Sequence, residues 1–377
     1  MRSVLHLIDT GGPGGAETVF LQCATGLDPD HFACTAVIDN DDWLARQLRA
    51  SGHEPRIESA QGSFNLGYLR RLASIARRVK ADVICAHLYG SAIYASALGM
   101  LTRIPVISVF HGGADIAAHD RFTALKTAII RRGSRRVVFV SESLREQLRA
   151  RLKIPDSRST IIPNGIDTDA FRPERDDSIR SSLGLAADAI LVGAIGNIRP
   201  AKSYDTFLQA ARRLLDRSDR FRFVIAGQYG GTLADELLRL RAQLGLEERV
   251  FFLGLREDVA TVLHNLDVFV LSSSSEGFSI ACVEAMACGI PVVATRCGGP
   301  EAILDARSGI LVAPRDPGAL ADAVERIVES PSLARELAQA ARQRAREEYS
   351  LQTMLARYAA LIETVAGTAR RAIPTVS

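Results

Sequence analysis

Lysine and tryptophan are scarce in this sequence, so its basic character comes from arginine. Of 377 residues one is tryptophan, and four of the 46 basic residues are lysine, at positions 80, 126, 153 and 202. With 43 acidic residues the formal charge is +3, too small an excess to indicate a nucleic-acid-binding protein. Glycine (29) and proline (14) are too few for a collagen-like or disordered chain.

The six cysteines form no C-x-x-C pair and no metal-like cluster with histidine. This usage favours reduced, buried thiols in a protein of the cytoplasm. The apolar run that precedes Asp9 is too short for a secretory signal. We therefore expect a cytoplasmic protein.

One segment, Val83–Thr102, carries no formal charge and is as long as a membrane span. His87, Gly90 and Ser91 interrupt it in the middle. We therefore predict a buried strand followed by a small-residue helix, and no transmembrane helix.

Short apolar runs alternate with amphipathic stretches along the chain, which is typical of parallel sheets covered by helices. The alternation pauses between residues 162 and 189, where Pro163-Asn-Gly and a polar stretch indicate a linker. We predict an α/β protein of two doubly wound, Rossmann-like domains, residues 1–170 and 171–350, that face each other across a ligand-binding cleft. The predicted strands are Val4–Ile8, Cys34–Ile38, Val83–Ala86, Pro105–Phe110 and Val137–Val140 in the first half, and Ile190–Ile195, Phe221–Ala226, Val250–Leu253, Val268–Leu271, Pro291–Ala294 and Ile310–Val312 in the second.

Two turns of the first half are candidate binding elements. The first strand runs into Gly11-Gly-Pro-Gly-Gly15 ahead of a helix, where glycines allow close backbone approach and the helix offers N–H groups to a ligand. The spacing does not fit the dinucleotide fingerprint, so a structural turn remains an alternative. His111 follows Phe110 at the carboxyl edge of the predicted sheet, where it either faces the cleft or has a structural role.

Two cations follow the first strand of the second domain. Arg199 and Lys202 lie at a predicted strand-to-helix turn, where both would meet an anion at the helix N-terminus. Lys202 is the only lysine of this domain, and a compact point charge suits one phosphate oxygen. Solvated surface cations are the alternative interpretation.

The most informative segment is Ser272–Pro291. Gly277 frees the backbone to turn, so that the N–H groups of residues 278–280 can open a helix onto a pyrophosphate. Glu276 precedes this helix and Glu284 lies within it, which separates the carboxylates by ~12 Å at helical rise. That is too far for a carboxylate pair acting on one bond, but it suits two hydroxyl-binding sites at opposite ends of one nucleotide-sugar.

Taken together, these motifs resemble the retaining glycosyltransferases of family 4, which have the GT-B fold. The most specific motif is the E-x7-E pattern from Glu276 to Glu284, with Gly298-Gly299 after it. The resemblance covers about residues 3–365. Supporting motifs are Gly14-Gly15-Ala-Glu17, His111-Gly112, Pro163-Asn-Gly-Ile-Asp167 and Lys202.

The resemblance implies roles for both domains. The first domain would bind the acceptor, the second would bind a nucleotide-sugar such as a UDP- or GDP-sugar, and a C-terminal helix at about 351–377 would pack back on the first. Glu276 would contact the donor sugar, His111 would approach the transferring sugar, and Lys202 would neutralise the leaving pyrophosphate; these three are the expected catalytic residues. The expected donor-binding residues are Gly14, Gly15, Arg199, Lys202, Gly277, Phe278, Ser279, Ile280 and Glu284, with Glu284 on the ribose.

The chain departs from the family pattern in its phosphate-binding motifs. Asn197 stands where the family usually has arginine, which makes Arg199 the expected substitute. Ser279 and Ala281 replace the usual glycine and the usual proline or valine.

A metal is not expected, although two D-x-D triplets exist. Asp28-Pro-Asp30 lies on a predicted helix-to-strand connection and Asp167-Thr-Asp169 lies in the linker. Lys202, Arg199 and a helix N-terminus can stabilise the leaving group in place of a metal. The sequence offers no obvious carboxylate nucleophile, and front-face attack guided by the leaving phosphate is what the resemblance implies.

We therefore expect transfer of a sugar to a saccharide, lipid-linked or small-molecule acceptor, in cell-surface polysaccharide or glycoconjugate synthesis, with no nucleic-acid partner. A GT-B-fold nucleotide-sugar epimerase and a non-catalytic nucleotide-sugar-binding module are the alternatives. The stretch Arg121–Lys153 has ten basic and two acidic residues. It is either a solvated basic face or a peripheral contact with the anionic inner face of the membrane.

Overall fold

Two parallel sheets organise the chain. The structure is a computed structural model that describes residues 1–60, 65–113 and 122–371. The chain divides into two units, of which the first combines Met1–Gly165 with the C-terminal helix Leu351–Arg371 and the second is Ile166–Ser350.

The first unit is a parallel sheet with helices on both faces. Its described strands are β1 (Arg2–Ile8), β2 (Phe32–Ile38), β3 (Arg56–Ile57), β4 (Val83–His87), β5 (Val106–Phe110), β6 (Ser134–Phe139) and β7 (Ser159–Ile161). Its described helices are α1 (Gly15–Gly26), α2 (Trp43–Ala50), α3 (Leu66–Arg78), α4 (Tyr89–Thr102), α5 (Thr123–Gly133) and α6 (Glu142–Leu152). The strand order is β3-β2-β1-β4-β5-β6-β7. The chain adds β2 and β3 on one side of β1 and the later strands on the other side, so the switch point lies between β1 and β4. Ligands of open α/β sheets bind at such a switch point.

The second unit repeats this architecture. Its strands are β8 (Ile190–Ile195), β9 (Phe221–Ala226), β10 (Val250–Gly254), β11 (Val268–Leu271), β12 (Val292–Thr295) and β13 (Ile310–Val312). Its helices are α7 (Ser178–Ser182), α8 (Tyr204–Arg217), α9 (Gly231–Gln243), α10 (Val259–His264), α11 (Ile280–Ala287), α12 (Gly299–Ile303), α13 (Pro317–Glu329) and α14 (Pro331–Glu348), and α15 (Leu351–Arg371) follows. The order β10-β9-β8-β11-β12-β13 places the switch point between β8 and β11.

The side chains of β1 alternate between two hydrophobic cores, one on each face of the sheet. Leu5 and Leu7 pack with residues of α3 and α4 on one face of the sheet. Ile8 packs with Phe20 of α1 and with α2 on the other face. Because successive strand side chains alternate, His6 lies on the same face as Ile8.

The predicted strands are present, with ends shifted by at most three residues. Two strands were missed, β3 and β7, which have two and three residues. The sequence pattern also predicts a helix at residues 117–131, which lies partly outside the described residues; α5 overlaps its described part. The uncharged segment Val83–Thr102 forms β4 and α4, and no helix among the described residues is long and apolar enough to cross a membrane.

Candidate functional site

The loop after β8 is shaped by close backbone contact with the loop after β9. Gly196 (φ +152°) and Gly227 (φ +157°) adopt backbone angles that side chains rarely allow. A Cβ atom on Gly227 would lie 2.1 Å from the carbonyl oxygen of Gly196, and one on Gly196 would lie 2.8 Å from Cε of Lys202. The two glycines therefore make room for the lysine at the switch point.

Lys202 and Glu276, which the sequence singles out separately, are ion-pair partners. The Nζ atom of Lys202 lies 2.7 Å from Oε1 of Glu276, and both side chains are mostly buried. The hydroxyl of Ser273 donates to the same carboxylate oxygen at 2.7 Å. We call Lys202, Glu276 and Ser273 the switch-point cluster, because they join the carboxyl ends of β8 and β11. Its basic and acidic groups can bind an anion and a hydroxyl side by side.

Backbone hydrogen bonds fix the loop that carries Glu276. The amide of Glu276 donates to the carbonyl of Cys297 at 3.2 Å, and the amide of Gly299 donates to the carbonyl of Glu276 at 2.8 Å. A Cβ atom on Gly299 would lie 2.9 Å from Phe278. The Gly298-Gly299 motif is therefore required for close packing against the Glu276 loop.

The start of α11 presents its first N–H groups just after this loop. Ser279 is the N-cap residue, and its hydroxyl accepts the amide of Cys282 at 3.3 Å. The amides of Ile280 and Ala281, at the first two helical positions, have no acceptor within the helix. Phe278 is buried, and its ring packs edge-on against Tyr349 at 5.6 Å. Ser279 therefore supports the helix start that the usual glycine would leave uncapped.

Glu284 lies in the second turn of α11. Burial raises the pKa of its carboxyl to about 7, because the charged form loses hydration. No described residue forms an ion pair or a hydrogen bond with this carboxyl. A ligand hydroxyl would supply the missing hydrogen bond and favour the charged form.

Arg199 and Asn197 differ in their surroundings. The Arg199 side chain is exposed and makes no hydrogen bond or ion pair with the described residues. The Oδ1 atom of Asn197 accepts the amide of Gln228 at 3.0 Å and so ties the β8 loop to the β9 loop. Asn197 thus has a structural contact where the family pattern has arginine.

In the first unit, α1 begins at the end of the glycine-rich turn. Gly14 is its N-cap residue, and Gly15 its first helical residue. A Cβ atom on Gly14 would lie 2.4 Å from a carboxylate oxygen of Glu17. The turn brings Gly14 and Gly15 to the carboxyl end of β1, beside the switch point of the first sheet.

His111 follows β5 and contacts a second histidine. Its Nε2 atom lies 3.0 Å from Nδ1 of His87, and the two rings lie edge to edge, with centroids 5.2 Å apart and planes 17° apart. Burial lowers the pKa of His111 to about 3, so the ring is neutral at ordinary pH. His87, which no sequence motif singles out, ends β4 just as His111 follows β5.

Both D-x-D triplets form local turns. Oδ1 of Asp28 accepts the amide of Asp30 at 3.0 Å, and Oδ1 of Asp167 accepts the amide of Asp169 at 2.9 Å. Such self-capping is what aspartate does in turns. Metal independence stays a prediction.

Sequence comparisons assign the family. A family model described as Glycosyl transferases group 1 matches residues 175–344, and one described as Glycosyltransferase Family 4 matches residues 13–170. The first match lies within the second unit, and the other lies almost entirely on the first. The chain belongs to glycosyltransferase family 4. The predicted family is therefore confirmed.

Curated relatives match this chain over only part of its length. D-inositol 3-phosphate glycosyltransferase 2 of Catenulispora acidiphila is 39% identical over 187 residues, which are 47% of this chain and 44% of the relative. D-inositol 3-phosphate glycosyltransferase of Mycolicibacterium smegmatis is 37% identical over 200 residues, 52% of this chain and 45% of the relative. The chain thus spans less than half the length of these relatives.

Solved structures with a similar fold cover nearly the whole chain. Anabaena Alr3699/HepE, solved in complex with UDP and glucose, has a TM-score of 0.87 at 21% identity, over 97% of this chain and all of that one. A glycosyltransferase from Rickettsia africae has a TM-score of 0.83 at 20% identity, over 97% of this chain and 98% of that one. At these identities the likeness shows the fold alone. The predicted GT-B fold is confirmed.

Proposed function

We propose that this protein is a retaining glycosyltransferase that moves a sugar from a nucleoside-diphosphate sugar to an acceptor hydroxyl. The observation that carries the proposal is the switch-point cluster, in which a lysine and a glutamate share a mostly buried contact of 2.7 Å. Its residues lie in the E-x7-E and lysine motifs of a family whose curated relatives are named as glycosyltransferases.

Donor binding would exchange the partner of Lys202. In the free protein its ammonium group pairs with Glu276. A diphosphate carries more charge than one carboxylate, so it would take over the ammonium group. The released Glu276 carboxylate would then accept hydrogen bonds from hydroxyls of the donor sugar. The N-terminus of α11 and the charge of the exposed Arg199 would complete the phosphate site.

The ribose of the donor would bind Glu284. Its carboxyl lacks a partner in the described part of the chain, and a ribose diol would donate two hydrogen bonds to the ionised form. This assignment gives the two glutamates separate tasks at the two ends of the donor.

In the transfer step, the bond between the anomeric carbon and the β-phosphate oxygen breaks while the acceptor oxygen bonds to the same face of the carbon. The acceptor proton passes to the departing phosphate oxygen. Lys202 would stabilise the charge that develops on the leaving diphosphate, and neutral His111 would approach the transferring sugar. These charges can stabilise the leaving group in place of a metal, so we expect activity to persist in EDTA.

A UDP-sugar is the donor to test first, and a hydroxyl of a saccharide, a lipid-linked sugar or a small polyol is the acceptor class. UDP and UDP-glucose are bound in the Anabaena structures. The six cysteines are free thiols, which supports a cytoplasmic site of action, where thiols stay reduced.

We also propose that the first unit contacts an anionic membrane through α4 and α5. Met100, Leu101, Phe122 and Leu125 are exposed by 47–73%, and they lie on α4, on α5 and at its start, two helices that pack together. Residues 83–141 include seven basic and two acidic residues. Basic and apolar groups together favour binding to an anionic lipid surface. Arg121, the first residue of the basic stretch, lies outside the described residues.

Vesicle sedimentation tests this contact. The protein should sediment with phosphatidylglycerol vesicles and not with phosphatidylcholine vesicles, and Leu101→Ser with Leu125→Ser should reduce sedimentation. Leu66→Ser, which removes another exposed leucine of the same unit, is the matched control. Equal sedimentation of all variants would contradict the proposal.

A donor screen tests the proposed reaction. UDP-, GDP- and ADP-sugars are incubated with the protein, with and without candidate acceptors, and the products are identified. We expect release of nucleoside diphosphate with sugar transfer or hydrolysis. Lys202→Ala and Glu276→Ala should each lower the rate by about 100-fold or more, as expected for loss of transition-state charge stabilisation.

Lys80→Ala and Glu247→Ala remove exposed residues of the same types and should keep full rates. A changed sugar within an intact nucleotide-sugar would instead indicate an epimerase. Donor binding without any turnover would indicate a non-catalytic module. Full activity of both Lys202→Ala and Glu276→Ala would contradict the assignment of the site.

A further inference from the structure

We propose that His87 is a positioning residue that fixes the ring orientation and the tautomer of His111. This inference rests on the proposed function, since it supposes that His111 meets the transferring sugar. The contact is specific, because Nδ1 of His87 lies 3.0 Å from Nε2 of His111 and the two ring planes differ by only 17°. The two nitrogens therefore face each other edge to edge, the geometry that a hydrogen bond between two imidazoles requires.

The strand pairing accounts for this arrangement. In the register of β4 and β5, His87 pairs with Val109, two residues before His111. The side chains of two residues at adjacent carboxyl ends of parallel strands lie near one another. His87 also shares the sheet face of Ile8 and His6, with which β4 is in register.

The backbone after His87 is strained. Leu88 has φ +71°, a region that branched side chains rarely adopt. Its amide donates to the carbonyl of Val109 at 3.0 Å, and α4 begins at the next residue. Strained residues of this kind concentrate at functional sites. The hydrogen bond from Leu88 to Val109 keeps the end of β4 paired with β5 and so holds His87 beside the histidine that follows β5.

Burial makes the pair a neutral one. His87 is fully buried, with the ring of Phe20 at 5.4 Å and that of His6 at 6.3 Å. Burial, with the neighbouring His111 and His6, lowers the pKa of His87 well below its usual value. Each neutral imidazole has one N–H, so a single proton lies between Nδ1 and Nε2. The tautomer of one ring therefore dictates that of the other.

A purely space-filling role does not explain an imidazole here. Nε2 of His87 is buried and has no hydrogen-bond partner among the described residues. An unsatisfied buried polar atom lowers stability, so an apolar side chain would suit the core better. We therefore assign His87 to the alignment of His111.

Three substitutions separate positioning from packing. In His87→Asn the side-chain amide lies near the position of the imidazole Nδ1. In His87→Gln the amide lies near the position of Nε2. His87→Leu removes both polar positions. We expect His87→Leu and His87→Gln to lower kcat by about 10- to 100-fold, as loss of an orienting partner does. The KM for the donor should change little. His87→Asn should retain most of the wild-type kcat.

His6→Leu is the matched control, since it removes another buried imidazole from the same sheet face without a hydrogen bond to His111. It should leave kcat unchanged. Circular dichroism and UDP titration establish that each variant is folded and that its second unit is intact. A wild-type kcat in His87→Leu, or an equal loss in His87→Asn and His87→Leu, would overturn the proposal.

Nitrogen NMR of ¹⁵N-histidine protein reads the tautomer directly. His111 should show one neutral tautomer in the wild type and a mixture in His87→Leu. This readout also separates the two proposals. If the protein transfers no sugar but the His111 signal changes in His87→Leu, positioning stands and the reaction assignment fails. If transfer occurs and neither kcat nor the signal changes, positioning fails alone.

Discussion

At the scale of single residues, the main contact of the site is the ion pair between Lys202 and Glu276, which lie 74 positions apart in the sequence. The isolation of Lys202 and the spacing of Glu276 and Glu284 single out these three residues, but no sequence pattern reveals which of them pair. Ser273 was missed since it lies in a run of four serines, residues 272–275, where only the loop geometry distinguishes one hydroxyl from another.

Glu284 gives a pH prediction at this scale. Its pKa is raised from 4.5 to about 7 in the folded protein. The folded state therefore binds more protons than the unfolded state between these values, so its contribution to stability is present below pH 4.5 and is lost as pH rises to about 7. Unfolding free energies of the wild type should fall over this window relative to Glu284→Gln.

The same residue should make donor binding pH-dependent. A ribose diol binds the ionised carboxylate, so the advantage of the wild type over Glu284→Gln in UDP affinity should grow as pH rises through about 7. Titration calorimetry of both proteins across this range is the measurement. Parallel pH profiles would show that Glu284 does not meet the nucleotide.

At the scale of elements, the apolar strands were predictable because buried parallel strands have a continuous hydrophobic pattern. The short strand β3 was not, since both of its residues are exposed and only pairing with β2 defines it. The sequence pattern predicts helix from Ser332 almost to Thr368 with a break near Ser350, and the structure has this break between α14 and α15. The closeness of His87 and His111 depends on the pairing of β4 with β5, which sequence periodicity does not reveal.

The contact of the β8 and β9 loops gives a prediction about elements. Gly227→Ala would place a methyl group 2.1 Å from the backbone oxygen of Gly196. Backbone cannot turn aside as a side chain can, so the loop that bears Lys202 must shift. We expect UDP affinity to fall by about tenfold or more, as a displaced charged hydrogen bond would cause.

Gly230→Ala is the control for this variant, because a Cβ atom there meets nothing within 4 Å and its backbone is extended. The measurements are the UDP affinity, by titration, and the thermal stability, by a thermal melt, of both variants. Unchanged affinity in Gly227→Ala would show that the close contact does not set the position of Lys202.

At the scale of the whole molecule, the chain order and the structural units differ. The first unit is completed by α15, which follows the entire second unit in sequence. Met354, Tyr358 and Ile362 of α15 are buried, and Arg2 of β1 forms an ion pair with Glu363 at 3.3 Å. The helix is therefore part of the core of the first unit.

Ile362→Ala should destabilise the first unit alone. Loss of a fully buried isoleucine side chain costs about 2–5 kcal/mol. In hydrogen exchange, β1 and β4 should lose protection while β8 and β11 keep theirs, and UDP affinity should be unchanged. Equal loss of protection in both sheets would contradict this division of stability.

The central claim is that the switch-point cluster binds the diphosphate with its lysine and the sugar with its glutamate. UDP titration against wild type, Lys202→Ala, Glu276→Ala and the control Glu247→Ala tests it most directly. Lys202→Ala should weaken UDP binding by about tenfold or more, as loss of a charge-assisted contact does. Glu276→Ala should bind UDP at least as tightly as the wild type, because Lys202 is no longer paired, yet fail to turn over the UDP-sugar. Equal UDP affinity in Lys202→Ala and the wild type would contradict the account.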